Sequence, residues 1–249
     1  MKITGKIFIS QSLINKLAIP VQPFVQVRVG SLIVTARMVI KKNSRKSYML
    51  SPDLARALYI KKHRRLRIRY DQENDSIHLG PTIGILSSYL PNREEFDPRS
   101  TQAELIFLSD MGKKLSGQTY IFTPGSINWA NKTARGYTYR HVSPARGIWV
   151  SSIYPLPDVV YDRISSRTSE GRKIVKSTKR RLMEISSLKY FNPSFLNKWK
   201  VYQMLIGNPE LQRYLPETRQ LNLENLEEML EKYPALYLKP SNGSLGKGI

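Results

Sequence analysis

Ala235-Leu236-Tyr237-Leu238-Lys239-Pro240-Ser241-Asn242-Gly243-Ser244-Leu245-Gly246-Lys247-Gly248-Ile249 is the stretch on which the reading turns. Four apolar residues predict a buried strand that ends in a lysine. A glycine-rich loop follows. Glycines let backbone N–H groups approach phosphate oxygens, and lysines add positive charge. No Gly-Lys-Ser/Thr opens a helix after the loop, so it is not a Walker A motif, and it lacks the dinucleotide fingerprint. By itself such a loop also fits a plain hairpin.

Working backwards, Leu223 to Lys232 predicts an amphipathic helix with Leu226, Met229 and Leu230 inward. Leu215-Pro216-Glu217-Thr218 is an extended breaker. Asn192-Pro193 predicts the cap and first position of a helix that carries Leu196, Trp199, Gln203 and Ile206 and ends at Gly207. Ser169 to Lys189 is helical in pattern and strongly basic. Pro157 to Asp162 is a buried strand with a carboxylate at its end.

Thr82 to Ser88, a helix from about Ser100 to Leu115, and Gln118 to Thr123 form a βαβ unit, which implies a parallel sheet. Leu105, Leu108, Met111 and Leu115 are its expected inner stripe. Gly136–His141 and Gly147–Val150 predict a hairpin whose Trp and Tyr residues belong to the core. Before Gly80-Pro81, short strands at 6–9, 24–29, 32–40, 65–70 and 77–79 and a helix opened by Ser51-Pro52 suggest a small barrel. The expected organisation is mixed α/β (α+β). A β-rich barrel-like domain spans 1–80, an α/β domain 81–165, and a helical linker with the start of a nucleotide-binding lobe 166–249.

Forty basic against 19 acidic residues give a net charge of +21. Residues 1–80 alone hold 16 Lys/Arg and 4 Asp/Glu. Such a field attracts acidic polymers or phosphorylated ligands. Arg65, Arg67 and Arg69 alternate along one predicted strand. Their side chains would stand about 7 Å apart on one face, a candidate polyanion track. A second basic cluster, Lys173, Lys176, Lys179, Arg180 and Arg181, lies on the predicted helix. No known nucleic-acid module is visible, so nucleic acid is the least favoured partner. With no cysteine and three scattered histidines there is no expected metal site. No apolar run approaches the roughly 20 residues of a membrane span, and no signal peptide is evident; a cytoplasmic setting is expected.

Asn197-Lys198-Trp199, Leu215-Pro216-Glu217-Thr218 and Leu238-Lys239-Pro240 with its glycine loop occur in an order that resembles the ATP-grasp superfamily. Together with Leu79-Gly80-Pro81-Thr82-Ile83-Gly84-Ile85-Leu86 they resemble the YheC/YheD-like ATP-grasp proteins associated with the endospore coat, over about 170 residues. The resemblance implies that 81–165 is a pre-ATP-grasp domain. It implies that Lys198 and Lys239 contact ATP, and that Ser241, Gly243, Ser244, Gly246 and Gly248 lie over the phosphates. It further implies ATP with Mg2+ as cofactors, and a carboxylate substrate or spore-coat component joined to an amine or thiol, with a spore-associated location. The superfamily's metal-binding cluster has no counterpart in these residues, so the chain is expected to be the N-terminal part of such a protein and inactive as a ligase alone. A non-enzymatic basic module for coat assembly, binding an acidic polymer or protein, is the alternative.

Overall fold

The structure is a computed structural model that describes residues 2–42, 47–61, 66–90, 101–143 and 146–243, with nothing said of the side chain of Thr101. Contacts divide the chain into two compact units, Met1–Pro193 and Ser194–Ile249.

The first unit holds two sheets. The first contains β1 (Ile3–Ser10), β2 (Phe24–Val29), β3 (Leu32–Lys41), β4 (Tyr48–Leu50), β5 (Arg67–Asp71) and β6 (Ser76–Gly80), in the order β4-β1-β3-β2-β6-β5. β1 runs parallel to β3, and β2 parallel to β6. Gly30-Ser31 turns β2 into antiparallel β3. The two edges of the sheet are tied by a side chain. Tyr48 Oη, on β4, donates to the Leu66 carbonyl at 2.6 Å, and the Leu66 amide donates back at 3.3 Å, just before β5. A curled sheet laced at its edges accounts for the barrel-like expectation.

Alternation decides which side chains enter this core. Ile7, Ile9, Val25, Val27, Val29, Ile77 and Leu79 are buried, every second residue along their strands. Helices α1 (Gln11–Leu17) and α2 (Pro52–Ala57) add Leu13, Ile14 and Leu54. α2 starts as its sequence predicts, with Ser51 Oγ accepting from the Leu54 amide and Pro52 in the first turn. That hydroxyl also accepts from the Lys6 amide at 2.8 Å. Gly5 lies beside it at φ +69°, where a Cβ would sit 2.3 Å from Ser51 Oγ, so only glycine fits.

The second sheet contains β7 (Thr82–Ser87), β8 (Gln118–Phe122), β9 (Ile127–Asn128), β10 (Thr133–Ser143), β11 (Arg146–Pro155), β12 (Val159–Arg163) and β13 (Lys189–Phe191). The main order is β11-β10-β8-β7-β12-β13, with β9 paired to β10. β8, β7, β12 and β13 are mutually parallel; β10 and β11 form a long antiparallel hairpin. The βαβ unit is as expected: α3 (Thr101–Lys114) links β7 to β8. α4 (Arg167–Gly171) and α5 (Lys173–Met183) link β12 to β13 on the other side of β7. Because crossovers are right-handed, moving in opposite directions puts the helices on opposite faces. The cores agree: Leu105 and Ile106 of α3 meet Ile85 and Ile121, whereas Val175 and Leu182 of α5 meet Leu86, Phe122 and Val160.

The inner face of α3 differs from the predicted stripe. Met111 and Leu115 are 41% and 50% exposed, and Leu108 is half-buried. Leu105 is buried as expected and Leu108 packs against the same core, but Ile106 and Ser109 complete the inward face, with Gly112 against Thr119. The helix comes so close to β8 that only a glycine fits at 112, while Ser109 meets β10, its Oγ accepting from the Tyr139 amide at 2.9 Å. Trp149, Tyr139 and Tyr154 are core residues as expected. β13 is unexpected; three residues with one half-buried side chain leave no period to read.

The two sheets meet through a polar joint. Asp158 precedes β12; its Oδ2 accepts from the Thr82 amide at 2.8 Å, and its Oδ1 lies 2.9 Å from His78 Nε2 and 3.6 Å from Arg28, though not in straight hydrogen-bond alignment with the imidazole. Beside it the Ser31 amide donates to the Leu156 carbonyl at 2.9 Å. Gly30, at φ +54°, permits that approach, since a Cβ there would stand 2.1 Å from the same carbonyl oxygen.

The second unit contains α6 (Lys198–Ile206), α7 (Pro209–Gln212) and α8 (Leu223–Lys232). None of its described residues is buried. Two expectations fail here. Asn192 does not cap α6: it has φ +58°, and its Nδ2 donates to the Asp162 carbonyl. The cap is Asn197, whose Oδ1 accepts from the Lys200 amide at 3.0 Å. The predicted buried strand at 235–239 is not a strand, and Tyr237 and Leu238 are 82% and 54% exposed. A strand exists only by pairing, and among the described residues none lies beside this segment. α8 is as predicted, except that Leu230 is exposed.

Candidate functional site

The cap of α6 and the mouth of the glycine loop are brought together, although more than forty residues separate them. Pro240-Ser241-Asn242-Gly243 forms a turn closed by the Gly243 amide donating to the Pro240 carbonyl at 3.1 Å. The first amide of α6, that of Lys198, has no partner within its helix and donates to the Ser241 carbonyl at 2.9 Å. Lys198 Nζ donates to the Pro240 carbonyl at 3.0 Å and to the Gly243 carbonyl by a shorter contact. Asn197 Nδ2 donates to Asn242 Oδ1 at 2.9 Å. Of the predicted ATP residues, Lys198, Ser241 and Gly243 are therefore one cluster. Lys239 lies at its entrance with Nζ 5.7 Å from the centre of the Tyr237 ring. Ser244, Gly246 and Gly248 fall outside the described residues.

Glu217, in the breaker, is the other organising group of this unit. It accepts from Lys232 Nζ at 2.5 Å, from Tyr233 Oη at 3.0 Å and from Arg219 at 2.8 Å. Hydrogen bonds from Lys232, then Tyr233 and Arg219, hold its carboxyl at about 2, below the ordinary 4.5. Arg219 also reaches Glu228 on α8, so that glutamate is not simply a solvated charge. The breaker is thereby fastened to the middle and the C-terminal end of α8. The sequence signal was the Glu217/Lys232 charge pair, which no helical spacing connects.

Each basic cluster has members tied into the structure, though among the described ones only Lys179 is buried. Arg69 Nε donates to His78 Nδ1 at 2.8 Å. Arg67 is exposed on the same face, and Arg65 lies outside the described residues. On α5, Lys179 is buried and stands 2.6 Å from both Asp162 Oδ2 and Glu170 Oε1. Tyr190 Oη donates to Asp162 at 3.0 Å; burial first, then that carboxylate, raises its pKa. Arg181 stacks 3.9 Å above the Trp129 ring. Helical periodicity turns Lys179 towards the sheet and away from its basic neighbours, which composition does not reveal.

At the carboxyl ends of β7 and β8 a cleft of 220 Å³ is lined by Ser88, Thr123, Gly125, Ser169 and Arg172 among others. Ser88 and Ser165 hydroxyls lie 2.7 Å apart nearby. Adjacent strands β7 and β12 send their crossovers to opposite faces here, the place where open α/β sheets bind ligands. Among the described residues no three His, Cys, Asp or Glu side chains are grouped to hold a metal ion. No described helix is long and apolar enough to cross a membrane.

Residues 187–249 match the family described as YheC/D-like ATP-grasp. The chain is 29% identical over 221 residues to the endospore coat-associated protein YheD of Bacillus subtilis (strain 168), an alignment covering 88% of this chain and 47% of that protein. It is 25% identical over 158 residues to the endospore coat-associated protein YheC of the same organism, covering 60% of this chain and 42% of that one. The chain thus spans under half the length of these two curated relatives. No solved structure matches. The resemblance read from the sequence holds: the chain is similar to YheD over most of its length and to YheC over part of it, and its residues 187–249 match the YheC/D-like ATP-grasp family.

Proposed function

From that kinship we propose that the chain supplies the phosphate-binding end of an ATP-grasp site. Within a YheC/YheD-like protein, that site would join a carboxylate to an amine or thiol in connection with the spore coat. The observation that carries the reading is the meeting of Lys198 with the Pro240–Gly243 turn, since the two segments share no local reason to touch. The residues present suit a triphosphate. Two lysine ammonium groups flank a loop whose glycines let backbone approach closely, and fixed positive groups are what phosphoryl transfer requires of a protein. Bound ATP would supply the phosphoryl group that activates the carboxylate. Lys239 would neutralise phosphate charge at the loop entrance, and the loop amides would orient the phosphates. No described residue is assigned to Mg2+.

The test is titration of the 249-residue chain with a fluorescent ATP analogue, with and without Mg2+. Saturable binding that weakens about tenfold or more in Lys239→Ala is expected, the worth of a charge-assisted hydrogen bond. No saturable binding, or an unchanged Lys239→Ala, refutes the reading.

A further inference from the structure

We propose that Lys198 is a positioning residue: it and Asn197 clasp the mouth of the glycine loop to α6 before any nucleotide arrives. The proposal rests on the nucleotide reading only for what the clasp serves. An ammonium group has three donors and no acceptor. Two of them are spent on the Pro240 and Gly243 carbonyls. The backbone amide of the same residue takes the Ser241 carbonyl. Three of the turn's four carbonyls therefore point at one residue. The fourth residue, Asn242, is held through its side chain by Asn197.

The consequence follows from the flatness of the peptide. In a trans peptide the C=O and the following N–H point in opposite directions. Turning the Pro240 carbonyl towards Lys198 turns the Ser241 amide away from it, to the far side of the turn. Carbonyl oxygens repel phosphate oxygens and amides attract them. A clasp that gathers the carbonyls on one side turns the Ser241 amide towards an anion on the other. The third ammonium donor of Lys198 remains for a phosphate at the rim. Ordering the loop beforehand removes part of the entropy that binding would otherwise cost.

Asn242→Ala separates this role from simple charge neutralisation, because it removes no charge and leaves the Asn197 cap of α6 in place. Hydrogen exchange of the 249-residue chain without nucleotide is measured first, following the Lys198 and Gly243 amides. Both Lys198→Met and Asn242→Ala should speed their exchange about tenfold, the net worth of one hydrogen bond. Both should also weaken binding of the fluorescent ATP analogue at least about threefold, within the usual worth of such a bond. Circular dichroism should show α6 intact in each. Unchanged exchange in both variants overturns the clasp. So does a Lys198→Met that loses nucleotide affinity while its loop amides keep wild-type exchange, which would make the lysine a phosphate contact alone. Exchange decides the clasp and wild-type titration decides the nucleotide reading, so one failing is not mistaken for the other.

Discussion

Arg69 Nε donates to His78 Nδ1 across 2.8 Å, which draws a surface arginine into the joint between the two sheets of the first unit. With Nδ1 accepting, Nε2 carries its proton on the side of Asp158, 2.9 Å away. Arg28 reaches both His78 and Asp158, at 3.3 and 3.6 Å. The joint is thus a chain of charged and polar groups from an exposed strand to a buried carboxylate that also receives the Thr82 amide.

Removing the buried end of that chain should be costly. Asp158→Ala leaves Arg28 without its carboxylate and the Thr82 amide without an acceptor, and is expected to lower stability by about 3–5 kcal/mol. Asp158→Asn should cost less, since an amide oxygen still accepts from Thr82. Urea unfolding of the three proteins checks this, and a loss under about 1 kcal/mol for the alanine variant would refute it.

The surface end should separate into two behaviours. Arg67 is exposed and is expected to contact acidic polymers, so Arg67→Ala should reduce the salt dependence of polyphosphate binding by about one in log–log slope without shifting the melting temperature. Arg69→Ala should lower the melting temperature because it unseats His78. If the two variants behave alike in both measurements, the strand is a uniform charged face and not a track feeding a joint.

Gly112 inverts a familiar preference. Within a helix, glycine to alanine usually stabilises by up to about 1 kcal/mol. Here an added Cβ would lie 2.4 Å from Thr119 Cβ, in the core side of α3. Gly112→Ala should therefore destabilise by about 1–3 kcal/mol, the usual range for overpacking. Pairing it with Thr119→Ala should recover part of the loss. A stabilised single variant would show that α3 stands further from β8.

Glu217 gives the second unit an acid response. Its carboxyl titrates near 2 when folded and near 4.5 when free of its partners. A depressed folded value means that its contribution is fully present above 4.5 and is lost as the pH falls from there towards 2. Carbon-detected NMR should place its midpoint well below 4.5. Glu217→Gln should abolish that component of acid sensitivity and loosen α8 at neutral pH. A midpoint near 4.5 would show that Lys232 and Arg219 do not hold it in solution.

Elements with strong local signals were legible in the sequence. The alternation of β2 and β3, the Ser51-Pro52 start of α2, the βαβ unit and the words around Lys198 and Lys239 each rest on a period, a cap or a short ordered motif. Those are properties of neighbouring residues and survive in a string. The resemblance to YheC/YheD-like proteins was legible for the same reason. Tertiary structure alone decided what depends on partners distant along the chain. It turned the face of α3 from Met111 and Leu115 to Ser109 and Gly112, because Ser109 bonds the Tyr139 amide of β10 and β8 comes too near Gly112 for a larger side chain. It withdrew Lys179 from the basic surface and tied the still exposed Arg69 to His78, because a buried carboxylate and an imidazole stood within reach. It left 235–239 unpaired, since strand propensity without a neighbouring strand satisfies no backbone group. And it laid Lys198 against the carbonyls of Pro240 and Gly243, a contact set by where the chain returns and not by what precedes it.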